Sequence, residues 1–448
     1  MLTIARLTRA APLRAKFQVH RGFSSMSCVR QATHLDKDTH ASTAQRLQED
    51  SKVLLSLYGR PSLIFTHGQG VRLFDLAGRS YLDMNAGIAV NALGHNHPQV
   101  TKVISEQAQK LIHLSNLYHN ENAGDLARLL VAQLNGRGKW SEGAKVFLCN
   151  SGTEANEAAI KFARKYGKAK GNNPNKDTIV SFSNAFHGRS LGALSATPNP
   201  KYQAPFAPLI PHFVHGEFNN IAQLKDLINE NTCGVFVEPV QGEGGIHPST
   251  HAFLKALRER CDEVGAVLVF DEIQCGLGRL GSFYAHQQYD ITPDIVTIAK
   301  PIANGLPVGA TIVSEAVASV IKPGDHGTTF GGSPFASAVA KEVCSIIQTP
   351  QFLQGVHKKG VYLLEKCKEA AAGSKLVAEV RGKGLMVGIQ LNEGVSTQTF
   401  VDLAREHGVL VISAGCNTVR LVPPLIIQES DIDEATAVFK QVLQKMEQ

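Results

Sequence analysis

Short apolar runs recur through the middle of the chain, at 146–148, 178–182, 235–237, 266–270 and 295–298, each followed by a polar or glycine-containing turn. Between several of them lie stretches with helical spacing of apolar positions, for example 154–166 and 251–263. Short, predominantly apolar runs without strict alternation, set between helices, predict a mostly parallel sheet buried on both faces. Upstream, Ala44, Leu47, Val53, Leu54, Leu55 and Tyr58 predict a helical lead-in over 42–58, stopped by Gly59 and Pro61. Residues 71–83 alternate around an Asp75 to Gly78 turn and predict a hairpin. From about 345 the pattern changes to a helix over 354–372, extended runs at 377–380, 385–391, 409–412 and 419–422, and a last helix capped from Ser430. The fold class expected is α/β: a large domain with a mostly parallel sheet covered by helices, plus a smaller α+β domain. The divisions expected are a leader over 1–23, an N-terminal segment over 36–90, a large domain over 91–344 and a small domain over 345–448.

Charge changes the picture only at the N-terminus. The 448 residues carry 45 Lys and Arg against 39 Asp and Glu, a net charge of +6. Arg6, Arg9, Arg14, Lys16, Arg21 and Arg30 all precede the first acid, Asp36, so the remainder is balanced. A balanced body gives no electrostatic footprint for nucleic acid, and no partner of that kind is expected. The Arg residues interleave with Leu2, Ile4, Leu7, Leu13 and Phe17, the composition of a mitochondrial presequence; Arg21-Gly22-Phe23 places its cleavage near residue 23. A matrix location is therefore expected. No window approaches 18 consecutive apolar residues, so no membrane span is expected. The eight cysteines are scattered without a C-x-x-C pair, which argues against a disulfide framework or a zinc site.

In open α/β sheets ligands bind beyond the carboxyl ends of the strands, so the residues after each run carry the chemistry. Ser151-Gly152-Thr153 follows the 146–148 run and opens a helix. Free amides, hydroxyls and the positive dipole end there suit a phosphate, although the same triplet also makes an ordinary cap. Asp271 follows 266–270, where a half-buried carboxylate needs a cationic partner. Lys300 follows 295–298, and burial disfavours its charge and makes the amine a nucleophile. A phosphate cradle, a carboxylate and a lysine, each at its own strand end, are the fittings for pyridoxal 5'-phosphate. Competing readings are thinner. Gly68-Gln-Gly70 lacks a third glycine, His95 and His97 have no third ligand and sit between Gly94 and Pro98, and neither a Walker A loop nor a G-x-S-x-G elbow occurs. No metal is expected. Cys149 and Cys275 lack an adjacent base and read as packing residues.

The segments SGTEANEAAIKFAR, AFHGRSLGALSATP, EPVQGEGGI, LVFDEIQCGLGR, TIAKPIANGLPVGA and HGTTFGGSPFA resemble, in order, the motif series of class III aminotransferases, over about residues 45–440. That resemblance implies the pyridoxal-phosphate fold type I and a homodimer with shared active sites. It implies that Lys300 binds the cofactor and moves the proton, that Asp271 faces the pyridine nitrogen, and that Gln274 lies near the ring hydroxyl. Gly152 and Thr153 then hold the phosphate, with Thr329 reaching it from the neighbouring subunit, and Phe186 stacks on the ring. Arg189 grips a substrate carboxylate, a task that suits a guanidinium fork, and Thr328 contacts substrate across the dimer. Glu243 and Arg420 match a pair that opens to let arginine bind 2-oxoglutarate; a fixed salt bridge is the other reading. MNAGIAVNALGHNHP (84–98) and VRLVPPLI (419–426) resemble the branch that takes N2-acetylornithine as donor in arginine biosynthesis, with ornithine or 4-aminobutyrate as alternatives.

Overall fold

The computed structural model describes residues 32–170 and 173–448. The leader expected over 1–23 lies outside the described residues. In chain order the elements that frame the molecule begin with α1 (Ala41–Asp50), β1 (Phe65–Gln69), β2 (Arg72–Asp75), β3 (Ser80–Asp83), α2 (Pro98–Ala108) and α3 (Glu121–Ala132). Then come β4 (Ala144–Cys149), α4 (Gly152–Lys170), β5 (Thr178–Phe182), β6 (Phe213–Gly216), β7 (Thr232–Val237), α5 (His251–Val264), β8 (Val267–Asp271), β9 (Ile295–Ile298) and β10 (Gly309–Ser314). The C-terminal part holds α6 (Pro334–Ile347), α7 (Pro350–Ala371), β11 (Val377–Lys383), β12 (Met386–Leu391), α8 (Thr397–Glu406), β13 (Val409–Leu410), β14 (Ile412–Ala414), β15 (Thr418–Leu421) and α9 (Glu429–Met446).

Seven strands form the central sheet in the order β4-β10-β9-β8-β7-β5-β6. Six run parallel; β10 pairs antiparallel with both of its neighbours. This is the α/β sheet of fold type I, with one reversed strand. Gly309, Ala310 and Thr311 dilute the apolar content of β10, which is why its sequence gives no run like the others.

The side-chain alternation of the strands decides which face each residue serves. On β8, Leu268 and Phe270 pack with Phe253, Leu254 and Leu257 of α5. Val267 and Val269 point the other way, into Ala158, Ala159 and Phe162 of α4. Burying each such side chain stabilises the fold by about 1.5–3 kcal/mol, so a one-residue slip is strongly disfavoured. The same parity turns Asp271 toward α4.

The C-terminal part is an antiparallel sheet, β11-β12-β15-β14, joined to a shared core through Leu363, Phe400, Val419 and Phe439. The hairpin expected over 71–83 is β2 and β3, and β3 also pairs parallel with β13. Two local expectations need correction. The lead-in helix ends at Asp50, and Val53, Leu54, Leu55, Leu57 and Tyr58 stand exposed, with no apolar surface among the described residues packed over them to support a longer helix. The last helix has Gln428 at its N-cap, where the Gln428 amide donates to Asp431 Oδ2 at 3.0 Å, so Ser430 lies inside it.

Candidate active site

Where the strands end, a cavity of about 280 Å³ opens, lined among others by Gly152, Thr153, Phe186, Arg189, Glu238, Asp271, Gln274 and Lys300. Lys300 follows β9 and starts a short 3-10 turn, Lys300–Ala303. Burial lowers its pKa, and the positive Arg420 lowers it further. The amine makes no hydrogen bond or ion pair among the described residues.

Asp271 is held rigidly. Its Oδ2 accepts from His187 Nδ1 at 2.8 Å and from Asn156 Nδ2 at 2.7 Å, and its Oδ1 from the Ile273 amide at 3.0 Å. Asn156 also donates to the His187 carbonyl at 2.6 Å and accepts from Thr297 Oγ1 at 2.8 Å. Burial opposes a charge on His187, yet the bond to Asp271 prevails and raises its pKa. The sequence reading gave neither His187 nor Asn156 a role. It also passed over Glu238, which comes directly after β7, as Asp271 closes β8. Glu238 accepts from the Phe186 and Gly242 amides at 2.9 and 3.1 Å, and burial pushes its carboxyl up to about 7.

At the other wall, α4 begins at Gly152, leaving first-turn amides unpaired in the helix. A side chain at Gly152 would put Cβ 2.8 Å from Ile273 Cδ1, so the cradle needs glycine. Thr153 Oγ1 lies 2.6 Å from Ser190 Oγ. Gly188, at φ +137°, leaves room for Thr153; a Cβ there would lie 2.4 Å from its hydroxyl. Phe186 meets Tyr202 edge-on at 6.2 Å, and the exposed Arg189 guanidinium lies 5.0 Å from the Tyr202 ring and 5.9 Å from the Phe186 ring.

Gln274 bridges to the second arginine. Its Oε1 accepts from Arg420 Nη1 at 3.0 Å, while Arg420 Nη2 donates to Glu243 Oε2 at 2.9 Å. Arg420 is 2% exposed, its Nε is buried without a partner among the described residues, and burial lowers its pKa. Thr328 and Thr329 do not line the cavity of their own chain. Thr328 Oγ1 accepts from Asn150 Nδ2 at 3.0 Å, and Thr329 is exposed. His95 bonds Asp83 at 2.8 Å and His97 caps α2, so both serve the loop that they punctuate. Cys149 and Cys275 are buried, and burial raises both thiols, that of Cys149 to about 12.

The donor set fits pyridoxal phosphate: a glycine cradle at a helix start for the phosphate, a fixed carboxylate for the ring nitrogen, and a buried lysine of lowered pKa for the aldehyde. The parallel-rich sheet and this site define a pyridoxal-phosphate-dependent transferase of fold type I. Residues 57–443 match the family described as aminotransferase class-III. The mitochondrial acetylornithine aminotransferase of Neurospora crassa is 49% identical over 420 residues, covering 93% of this chain and 91% of the relative. Among solved structures, ornithine aminotransferase from Toxoplasma gondii has a TM-score of 0.85 at 28% identity, covering 92% of this chain and 97% of its own. N-acetylornithine aminotransferase from Stenotrophomonas maltophilia has a TM-score of 0.75 at 33% identity, covering 89% and 98%. The chain belongs to the class III aminotransferases, and its cofactor is pyridoxal 5'-phosphate.

Proposed function

We propose that this aminotransferase moves the δ-amino group of N2-acetyl-L-ornithine to 2-oxoglutarate, giving N-acetyl-L-glutamate 5-semialdehyde and L-glutamate, a step toward arginine. The observation that carries the reading is the Arg420–Glu243 pair at 2.9 Å, beside Lys300. The donor's carboxylate is remote from its reacting amine, whereas 2-oxoglutarate has a carboxylate next to its reacting carbonyl. One site can take both if a buried cation is masked for the first and released for the second. Arg420 is that cation, and Glu243, only partly buried, is its mask. Arg189, exposed beside Tyr202, is free to hold the carboxylate that both substrates carry away from the reacting carbon.

Bound pyridoxal phosphate supplies an aldehyde that takes up the amino group and a ring that accepts an electron pair. The remaining work falls to the chain. Lys300 Nζ, kept readily neutral by burial and Arg420, would remove the proton from the substrate carbon bearing nitrogen and deliver it to the carbon on the other side of that nitrogen. Asp271, fixed by Asn156 and His187, would hold a proton on the ring nitrogen. Gly152 and Thr153 would hold the phosphate, Gln274 would serve the ring hydroxyl, and Phe186 would pack on the ring.

The identity to the acetylornithine enzyme of Neurospora crassa, well above that to the ornithine enzyme of Toxoplasma gondii, supports the acetylated donor. The name of the former and the basic leader support a mitochondrial matrix location and a cleaved presequence. A homodimer is part of the proposal, with Thr328 and Thr329 delivered to the partner's cavity. Its support is an exposed apolar patch of Ile112, Leu117, Tyr118 and Phe330 beside them. The test is a titration of the holoenzyme followed by cofactor absorbance. N2-acetylornithine should convert the cofactor at far lower concentration than ornithine or 4-aminobutyrate, and 2-oxoglutarate should restore it. A preference for either other amine overturns the donor assignment.

A further inference from the structure

Arg381 stands on β11, outside the cavity, with its side chain 11% exposed. Its Nε donates to the carbonyls of Gly245 and Ile246 at 3.1 and 2.9 Å, and Nη2 reaches Gly245 O again at 2.5 Å. The same Nη2 bonds Thr418 Oγ1 at 3.2 Å and Gln390 Oε1 at 2.9 Å, while Nη1 meets Glu379 at 3.0 Å. The first contacts fall on the turn that carries Glu243, Thr418 is on the strand that carries Arg420, and Gln390 is on β12 beside it. Thr418 lies two residues before Arg420 on β15, on the same face.

That turn depends on outside restraint, of which Gly415 N, donating to Glu243 O at 2.6 Å, supplies one part. Its own bonds are the long ones from Gly245 and Ile246 amides to Gly242 O, 3.3 and 3.4 Å. Ile246 sits at φ +58°, a left-handed backbone that a β-branched residue adopts only when its surroundings impose it. Gly245 has no Cβ to obstruct the grip; one there would lie 3.1 Å from Thr418 Oγ1 and 3.3 Å from Arg381 Nη2. We infer that Arg381 is a positioning residue: one guanidinium ties the Glu243 turn to the Arg420 strand and so sets how readily the mask closes. The inference rests on the reading of Glu243 and Arg420 as a mask and its cation. A lysine, with one compact charge in place of a planar fork, cannot hold both sides.

The test compares Arg381→Lys, Glu243→Ala and the double variant as holoenzymes. Single-turnover half-reactions are measured with N2-acetylornithine and with 2-oxoglutarate, alongside hydrogen exchange of the 242–246 amides. Arg381→Lys should weaken the donor half-reaction about tenfold, the scale of one lost charge-assisted bond, because the donor needs the mask closed. The acceptor half-reaction, which displaces Glu243 itself, should change less than about twofold, well inside that scale. Exchange of the turn should quicken about tenfold as its local opening becomes easier. In the Glu243→Ala background the lysine should add nothing further. Equal damage to both half-reactions, or a full effect that persists without Glu243, overturns the inference in favour of a merely structural arginine. If Glu243→Ala alone leaves the balance of donor and acceptor unchanged, the mask reading falls and takes this inference with it. If that balance shifts while Arg381→Lys moves neither the kinetics nor the exchange, the inference alone falls.

Discussion

His187 Nδ1 donates to Asp271 Oδ2 at 2.8 Å inside the core, with the histidine side chain fully buried and the aspartate 3% exposed. The pair fixes where the carboxylate points. Asn156, on the same oxygen, leaves it little freedom to turn. His187→Gln and Asn156→Ala should each lower kcat about 10- to 100-fold, the scale of losing a bond to a charged group worth about 1.5–3 kcal/mol. KM for both substrates should move much less, since both residues hold Asp271, which serves the ring nitrogen and not a substrate carboxylate. Steady-state kinetics on the reloaded variants measures this; a pure KM effect would contradict it.

The same pair gives stability a definite pH slope. The folded pKa of His187 is raised above its ordinary 6.5, so its stabilisation is full below about pH 6.5 and is lost as pH rises through the raised value. Glu238 acts in the same direction: it ionises near 4.5 when unfolded but at about 7 when buried, so the fold weakens as pH climbs between those values. These two groups pull the melting temperature down between pH 5 and pH 8, against His34, His97, His215, His247 and His326, whose pKa values burial lowers and which pull it up. His187→Gln and Glu238→Gln should each remove part of the downward pull, so that the melting temperature of the variant falls less, or rises more, over this range than that of the parent. Variants whose melting temperature follows pH as the parent's does would reverse the assignment.

Much of this was legible in the chain because a parallel strand buried on both faces leaves a short, predominantly apolar run, and the first polar residue after it stands at the ligand edge. Asp271 and Lys300 announce themselves in that way. Glu238, directly after the 235–237 run, carries the same cue. Asn156 carries a subtler one: Ala159, Ile160 and Ala163 follow it at helical spacing, all buried, so a polar residue had been placed on a core face. His187 carries none, because its partner lies 84 residues away and only the packing of β8 beside the 186–189 turn brings the two together. β10 escaped because glycine, alanine and threonine do not form an apolar run, and the cap at Gln428 because Ser430 is the commoner capping residue type.

Gly188 tests how tightly the phosphate wall is built. At φ +137° alanine is strained, and its Cβ would lie 2.4 Å from Thr153 Oγ1, which could yield only by leaving Ser190. Gly188→Ala should destabilise the protein by about 2–4 kcal/mol and weaken retention of the cofactor. Denaturant unfolding and dialysis against cofactor-free buffer read the two effects separately.

Arg189→Lys keeps the charge but loses the planar fork, together with its packing at 5.0 Å from Tyr202. KM for N2-acetylornithine and for 2-oxoglutarate should both rise, by about 10-fold or more, with a smaller change in kcat. This symmetry separates Arg189 from Arg420, whose loss should fall chiefly on the acceptor. A variant that impairs only one substrate would remove Arg189 from its assigned role.

The proposed homodimer can be tested at the exposed apolar surface that supports it. Leu117 is 87% exposed, Tyr118 69% and Phe330 64%, far more than scattered surface residues require. They belong to two segments locked to each other: Asn116 Nδ2 donates to the carbonyls of Thr328 and Gly331, and His113 packs against Phe330 at 5.3 Å. A partner covering this patch would therefore also fix Thr328 and Thr329, which do not line the Lys300 cavity of their own chain. Leu117→Glu with Phe330→Glu should convert the protein to monomers in size-exclusion chromatography with light scattering. Turnover should fall with it, by about 100-fold, because each cavity would lose contacts to both phosphate and substrate. A monomeric variant that retained full activity would show that each chain completes its own site, and would free Thr328 and Thr329 from any part in it.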